Sequence, residues 1–190
     1  MANELNKATR LRIKYIDVIF NDDLTAEPID PAVFDRRALV GEWHQLGYLD
    51  RSQVVEIPRS GGEVTVDDTL NELAVDSEQA PIDRDVTFAV QQTDLGVLKA
   101  IYGDDLYDEE TDEFELPSQP ISKTRQYQIM LETTKGQKRC FRLAGSISTT
   151  ADLSLDPTKT SAIPVSIKVL SHNGKGIRMV GFGPAAPVVP

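Results

Sequence analysis

Residues 85–103 read DVTFAVQQTDLGVLKAIYG, and a strand pattern gives way to a helix pattern within them. In its first half, Val86, Phe88 and Val90 alternate with Thr87 and Gln91, the period of a half-buried strand. In its second half the period lengthens. Leu95, Leu98 and Ile101 or Tyr102 fall on one side of a short helix. Thr93 is the expected N-cap, and Asp94 suits the positive end of the helix dipole. Gly103 is placed to end the helix as a left-handed residue. No other segment carries as strong a helix signal.

Downstream, the pattern is that of strands. Asp104 to Glu115 is an acidic run and reads as a solvated loop. Tyr127, Ile129 and Leu131 then alternate, Lys135-Gly136 turns the chain, and Phe141 and Leu143 alternate on the return. Ile147–Leu155 is a weaker strand candidate. Ile163, Val165, Ile167 and Val169 alternate, and His172-Asn173-Gly174 is expected to turn them back into Ile177 and Met179. Pro184 to Pro190 is a stiff tail with no route into a sheet.

Upstream, Asp68 to Arg84 reads as a long loop. Val54, Val55 and Ile57, a Ser60-Gly61-Gly62 turn, and Val64 with Val66 suggest a hairpin. Ala38 to Gly47 is ambiguous, with Trp43 its expected buried anchor. Asn21 to Pro31 is loop-like. Leu11, Ile13 and Tyr15 alternate with basic residues, as in a strand or an extended arm. About eight strands around one helix imply an α+β, mainly β class: a β-sandwich or barrel with one short flanking α-helix.

Catalytic signals are sparse. The chain has two histidines, His44 and His172, and no serine sits in a nucleophile motif. Gly174-Lys175-Gly176 lacks the rest of a phosphate-binding loop. The acidic run fails as a calcium loop: counted from Asp108, the sixth position is Glu113 and the twelfth Gln119. Neither catalytic, cofactor nor metal residues are expected. Cys140 alone excludes an internal disulfide; it reads as a structural thiol, the alternative being a reactive one activated by Arg139 and Arg142. Hydrophobic residues make up 40% and charged residues 26% of the 190, ordinary for a folded chain. The net charge of −10 disfavours gripping nucleic acid. The N-terminus shows no secretory signal and no apolar run of membrane-spanning length, so synthesis and use in the cytoplasm, or export as part of something larger, are expected, with no membrane partner.

One order of motifs is specific. Leu46-Gly47-Tyr48, the Val54–Val66 region, Asp85–Phe88 and the helix ending in Tyr102-Gly103 resemble major tail tube proteins of long-tailed (siphovirus-type) bacteriophages, notably actinobacteriophages. The Tyr127–Leu131 and Arg139–Leu143 hairpin and the Ile163–Val169 strand fit the same pattern. The resemblance covers most of residues 43–183 and implies a β-sandwich domain there, shared with contractile-tail and type VI secretion tubes. Residues 1–42 are then an N-terminal arm and loop, and 184–190 a Pro-rich tail.

The resemblance further implies hexameric rings stacked into a tube in the virion, assembled in the host bacterial cytoplasm. The lumen would hold a tape-measure protein and later pass double-stranded DNA without specific binding. Tail terminator and baseplate or tip proteins would cap the ends. On this reading Tyr127, Ile129, Leu131, Phe141, Leu143, Ile163, Val165, Ile167 and Val169 mark ring-forming hairpins. Leu95, Leu98, Ile101 and Tyr102 pack the helix. Asp104, Asp105, Asp108, Glu109, Glu110, Asp112 and Glu113 face either the lumen or the outer surface. Residues Pro58–Arg84 and Met1–Phe20 would reach the neighbouring ring. The alternatives are a tail terminator or head–tail connector of the same fold, and a monomeric β-sandwich binding module.

Overall fold

The computed structural model describes residues 12–67, 76–79, 81–117, 123–151, 161–171 and 176–182. In chain order the strands are β1 (Ile13–Asn21), β2 (His44–Gln45), β3 (Arg59–Gly61), β4 (Val64–Asp67), β5 (Asp76–Gln79) and β6 (Ile82–Val90). Helix α1 (Leu95–Tyr102) follows, then a 3-10 turn at Asp104–Leu106. The remaining strands are β7 (Tyr107–Asp108), β8 (Glu113–Phe114), β9 (Thr124–Thr133), β10 (Lys138–Thr149), β11 (Ile163–Leu170) and β12 (Arg178–Val180). Eight strands pair in the order β2-β1-β9-β10-β11-β6-β3, with β12 on β10; β4–β5 and β7–β8 are separate hairpins. The class is therefore mainly β with one short helix, as the alternation implied.

The chain divides into two compact units, and β10 contributes to both, up to Gly145 in the first and from Ser146 in the second. In the first unit β1 lies between β2 and β9. Residues 13–21 thus take the strand alternative rather than that of an arm. Val18 pairs with Ile129 and Phe20 with Tyr127 on one face. Side chains alternate along a strand, so Asp17, Ile19 and Asn21 point to the other face with Gln128 and Met130. That second face is covered too. Ile19, Trp43, Met130 and Cys140 form a buried cluster against which Ala26, Ile29, Phe34, Leu39 and Val180 pack. The segment after β1, which reads as mere loop, is the lid of a core. Trp43 is its anchor, and its indole Nε1–H donates to the Glu27 carbonyl at 3.2 Å.

In the second unit β11 pairs with β6, bringing Ile163 opposite Val90, Val165 opposite Phe88 and Ile167 opposite Val86. All six side chains are buried. The expected Ile163–Met179 hairpin does not form. β11 has β10 and β6 as its two neighbours, leaving no edge for β12, which pairs with β10 instead. His172–Lys175 lie outside the described residues. The Val54–Val66 hairpin is also corrected. Glu56 bridges Thr87, β3 pairs with β6, and β4 pairs with β5. The glycines do turn the chain, with φ of +74° at Gly61 and +77° at Gly62, but they pass it from one sheet to another. The long loop expected over 68–84 contains β5 and the start of β6.

Helix α1 is capped by Asp94, not Thr93. The Asp94 carboxylate accepts from the Val97 N–H at 3.0 Å, which makes it the residue at the boundary. The buried residues are Val97, Ala100 and Ile101, whereas Leu95 is 36% exposed. Both stripes of this short helix are apolar, so spacing alone could not choose between them. Gly103 ends the helix at φ 116° and donates its N–H to the Lys99 carbonyl; its ψ of 155° is not the left-handed helical conformation expected.

Candidate functional site

Buried side chains are committed to the fold, and exposed ones are available to partners. Tyr127, Ile129, Leu131, Leu143, Ile163, Val165 and Ile167 are all buried within this chain. Phe141 and Val169 are half-buried, as are Leu98 and Tyr102. β9 and β11 each have neighbours on both sides. These residues hold the sheet together. What stays outside is the rim of the sheets, the loops and the turns.

The acidic run forms one such feature. It is not an irregular loop: β7 and β8 pair, with Tyr107 opposite Phe114 and Asp108 opposite Glu113. The Tyr107 hydroxyl donates to Asp112 at 2.7 Å, and Asp112 turns the chain with a φ of 55°. That hydrogen bond, followed by burial and the nearby acids, raises the Tyr107 pKa above its ordinary value. Lys99 lies 4.6 Å from the Tyr107 ring, and the Tyr102 and Phe114 rings are 6.1 Å apart. Asp104, Asp105, Asp108, Glu109, Glu110, Asp112 and Glu113 are all exposed. So a structured hairpin presents these acids to solvent.

The second feature was invisible in the sequence. In the first unit, the turns of residues 30–38 stand beside β1, β9 and the start of β10 and border a half-open cavity of about 610 Å³. Arg36, Arg37, Lys138 and Arg139 line it with Asp17, Asp35 and Glu132. Arg36 donates to Asp17 at 2.6 Å, and this contact, ahead of an opposing burial effect, raises the guanidinium pKa. Lys138 donates to the Phe34 carbonyl at 2.7 Å and so fixes the lip. Val33, 75% exposed, and Tyr15, 43% exposed, give it an apolar rim. The signal was split between two distant segments, Asp30–Ala38 and Lys138–Arg139, which only the fold brings together.

Residues with reactive potential are placed otherwise. Cys140 is fully buried, and burial pushes its thiol up to about 11 against a smaller opposing effect of Arg142. Burial and the raised pKa both weigh against the activated-thiol alternative. His44 is exposed on β2 with its ring 5.6 Å from Phe20. Among the described residues no three His, Cys, Asp or Glu side chains are grouped to hold a metal ion, and no helix is long and apolar enough to cross a membrane.

No curated protein matches the chain. The family described as phage tail tube protein matches residues 20–179, from the end of β1 into β12. That match spans the strand–helix unit, the β9–β10 hairpin and the β6–β11 pair. With its sheets spent on an internal core and its charge displayed on turns, the chain belongs to the phage tail tube protein family, a structural and non-enzymatic component of the virion tail.

Proposed function

We propose that six copies of this chain close into a ring, and that rings stack into a tube whose bore conducts double-stranded DNA during genome ejection. The family match over residues 20–179 carries this reading. The charge supports it. Six chains of net −10 sum to about −60 per ring. DNA must slide, and each wall cation engaging a phosphate would release counterions and deepen a trap. An acidic bore repels the duplex over about 8 Å at physiological salt.

Ring closure would also occupy the exposed sheet edges, which otherwise invite uncontrolled pairing. In this reading the β9–β10 hairpin and β11 form the wall's scaffold through their backbones, while rim strands and turns meet the neighbours. The motif order at 46–103 supports a long-tailed, actinobacteriophage-like tail. A tape-measure protein in the lumen, and terminator and tip proteins at the ends, complete the assembly.

The test is negative-stain microscopy of the purified chain over time and concentration. Long hollow filaments are expected. Single rings that never stack would identify a terminator or connector, and a monomer at every concentration would favour a binding module.

A further inference from the structure

We propose that the acidic β7–β8 hairpin of one copy docks in the basic cavity beside β1 and β10 of the next. This inference rests on the self-assembly reading above and names the surfaces that perform it.

Four observations meet. Residues 104–115 carry eight acids and no lysine or arginine. They are folded into a defined hairpin rather than left as loose chain, so docking orders little new backbone. The cavity carries a modest excess of the opposite charge, four cations against three acids. Asp17 is engaged by Arg36, and Glu132 lies 3.7 Å from Lys14. Lys138 is held by the Phe34 carbonyl and Arg139 by Gln137 and the Phe182 ring, yet both keep their charge, and with the exposed Arg37 they face the single acid Asp35. Apolar groups accompany the charges on both sides, Val33 and Tyr15 at the cavity and Leu116, 54% exposed, at the base of the hairpin.

The geometry class follows from the surfaces. A hairpin meeting a cavity is a contact between two different patches, so it is heterologous. Where each copy donates to one neighbour and accepts from another, such contacts propagate head to tail and give closed rings or open stacks, whereas reciprocal docking would stop at a two-fold dimer. The contact also answers an electrostatic problem. A basic cavity left open in a DNA conduit would retain phosphates. A neighbour's hairpin cancels that charge.

The test uses two full-length charge-reversal variants at exposed positions, R37E in the cavity lining and E109K/E110K on the hairpin. Circular dichroism and thermal melting first establish that each is folded as a monomer. Wild-type chain should form tubes, and each variant alone should raise the critical concentration for assembly by about tenfold or more. An equimolar mixture of the two should restore assembly, because each variant's hairpin then matches the other's cavity. Salt provides a second readout that needs no variant: the wild-type critical concentration should rise between low and high ionic strength. Wild-type tubes together with unaffected variants, with no rescue on mixing, or with assembly indifferent to salt, overturn the docking and leave the tube reading standing. Wild-type chain that never associates overturns both.

Discussion

Gln128 and Ile29, 99 residues apart, are joined by a pair of hydrogen bonds: the Ile29 N–H donates to the Gln128 Oε1 at 2.9 Å, and the Gln128 Nε2 donates back to the Ile29 carbonyl at 3.1 Å. The Arg142 guanidinium donates to the same carbonyl at 3.1 Å, and Gln128 Nε2 also reaches the Cys140 sulfur at 3.6 Å. One fully buried amide therefore clamps the lid segment to the sheet.

Gln128→Ala removes both bonds to Ile29 and leaves the Ile29 N–H without its acceptor. The expected cost is about 2–3 kcal/mol, since neutral bonds contribute about 1 kcal/mol each and orphaned groups cost more. Urea denaturation measures the loss. Hydrogen exchange at the Ile29 amide should accelerate more than exchange at β6 amides.

The Asp17 carboxylate is buried and accepts from Arg36 at 2.6 Å and from Gln45 Nε2 at 3.1 Å. Asp17→Ala strands both donors, and a loss of about 1–3 kcal/mol is expected. Arg36→Ala should cost less, because its head is partly in water and Gln45 still satisfies the carboxylate. Equal losses for the two variants, by denaturant titration, would refute this account.

Alkaline pH should unfold the protein through two buried groups. Burial raises Cys140 from 9.0 to about 11 and Tyr127 from 10.0 to about 12. A raised folded pKa favours the protonated form, so the unfolded chain loses these protons first. Stability is full below about pH 9 and falls as pH climbs toward 11–12, by up to about 3 kcal/mol per group. Cys140→Ala should abolish the fall between pH 9 and 10, reduce it between 10 and 11, and leave the Tyr127 contribution between pH 10 and 12. The buried thiol should also resist alkylation at pH 8 until the chain is unfolded.

Two glycines with nearly the same φ should respond differently to alanine. At Gly136, φ +73°, a Cβ meets nothing within 4 Å. At Gly61, φ +74°, it would lie 2.2 Å from the Pro81 carbonyl oxygen. Gly136→Ala should cost about 1–2 kcal/mol for the conformation alone. Gly61→Ala adds a backbone clash and should cost about 2–4 kcal/mol, read as a larger drop in melting temperature.

Period-two alternation marked β6, β9, β10 and β11 in the sequence because each buries one face through a run of apolar partners, as Ile163, Val165 and Ile167 do against Val90, Phe88 and Val86. It could not show what these strands pair with. The turn at His172–Gly174 suggested a local hairpin, yet β12 lies against Cys140–Arg142, a choice made by free sheet edges rather than by neighbouring sequence. Gln128 lies between the alternating Tyr127 and Ile129 and so on the other face of the strand, which the return of residues 22–43 covers. The acidic hairpin was legible as charge but not as strand, since Tyr107-Asp108 and Glu113-Phe114 are too short for a period to emerge. The cavity had no local signal at all, its cations being contributed by segments about a hundred residues apart.

β10 runs without interruption from Lys138 to Thr149, and each compact unit claims part of it. Removing one residue near its start would swing Cys140, Leu143 and Ile147 alike to the opposite side of the strand, so a single lost codon would undo two cores together. Inherited changes of length in this lineage should therefore gather at hairpin tips such as Lys135-Gly136 and Glu109–Asp112, and spare this strand.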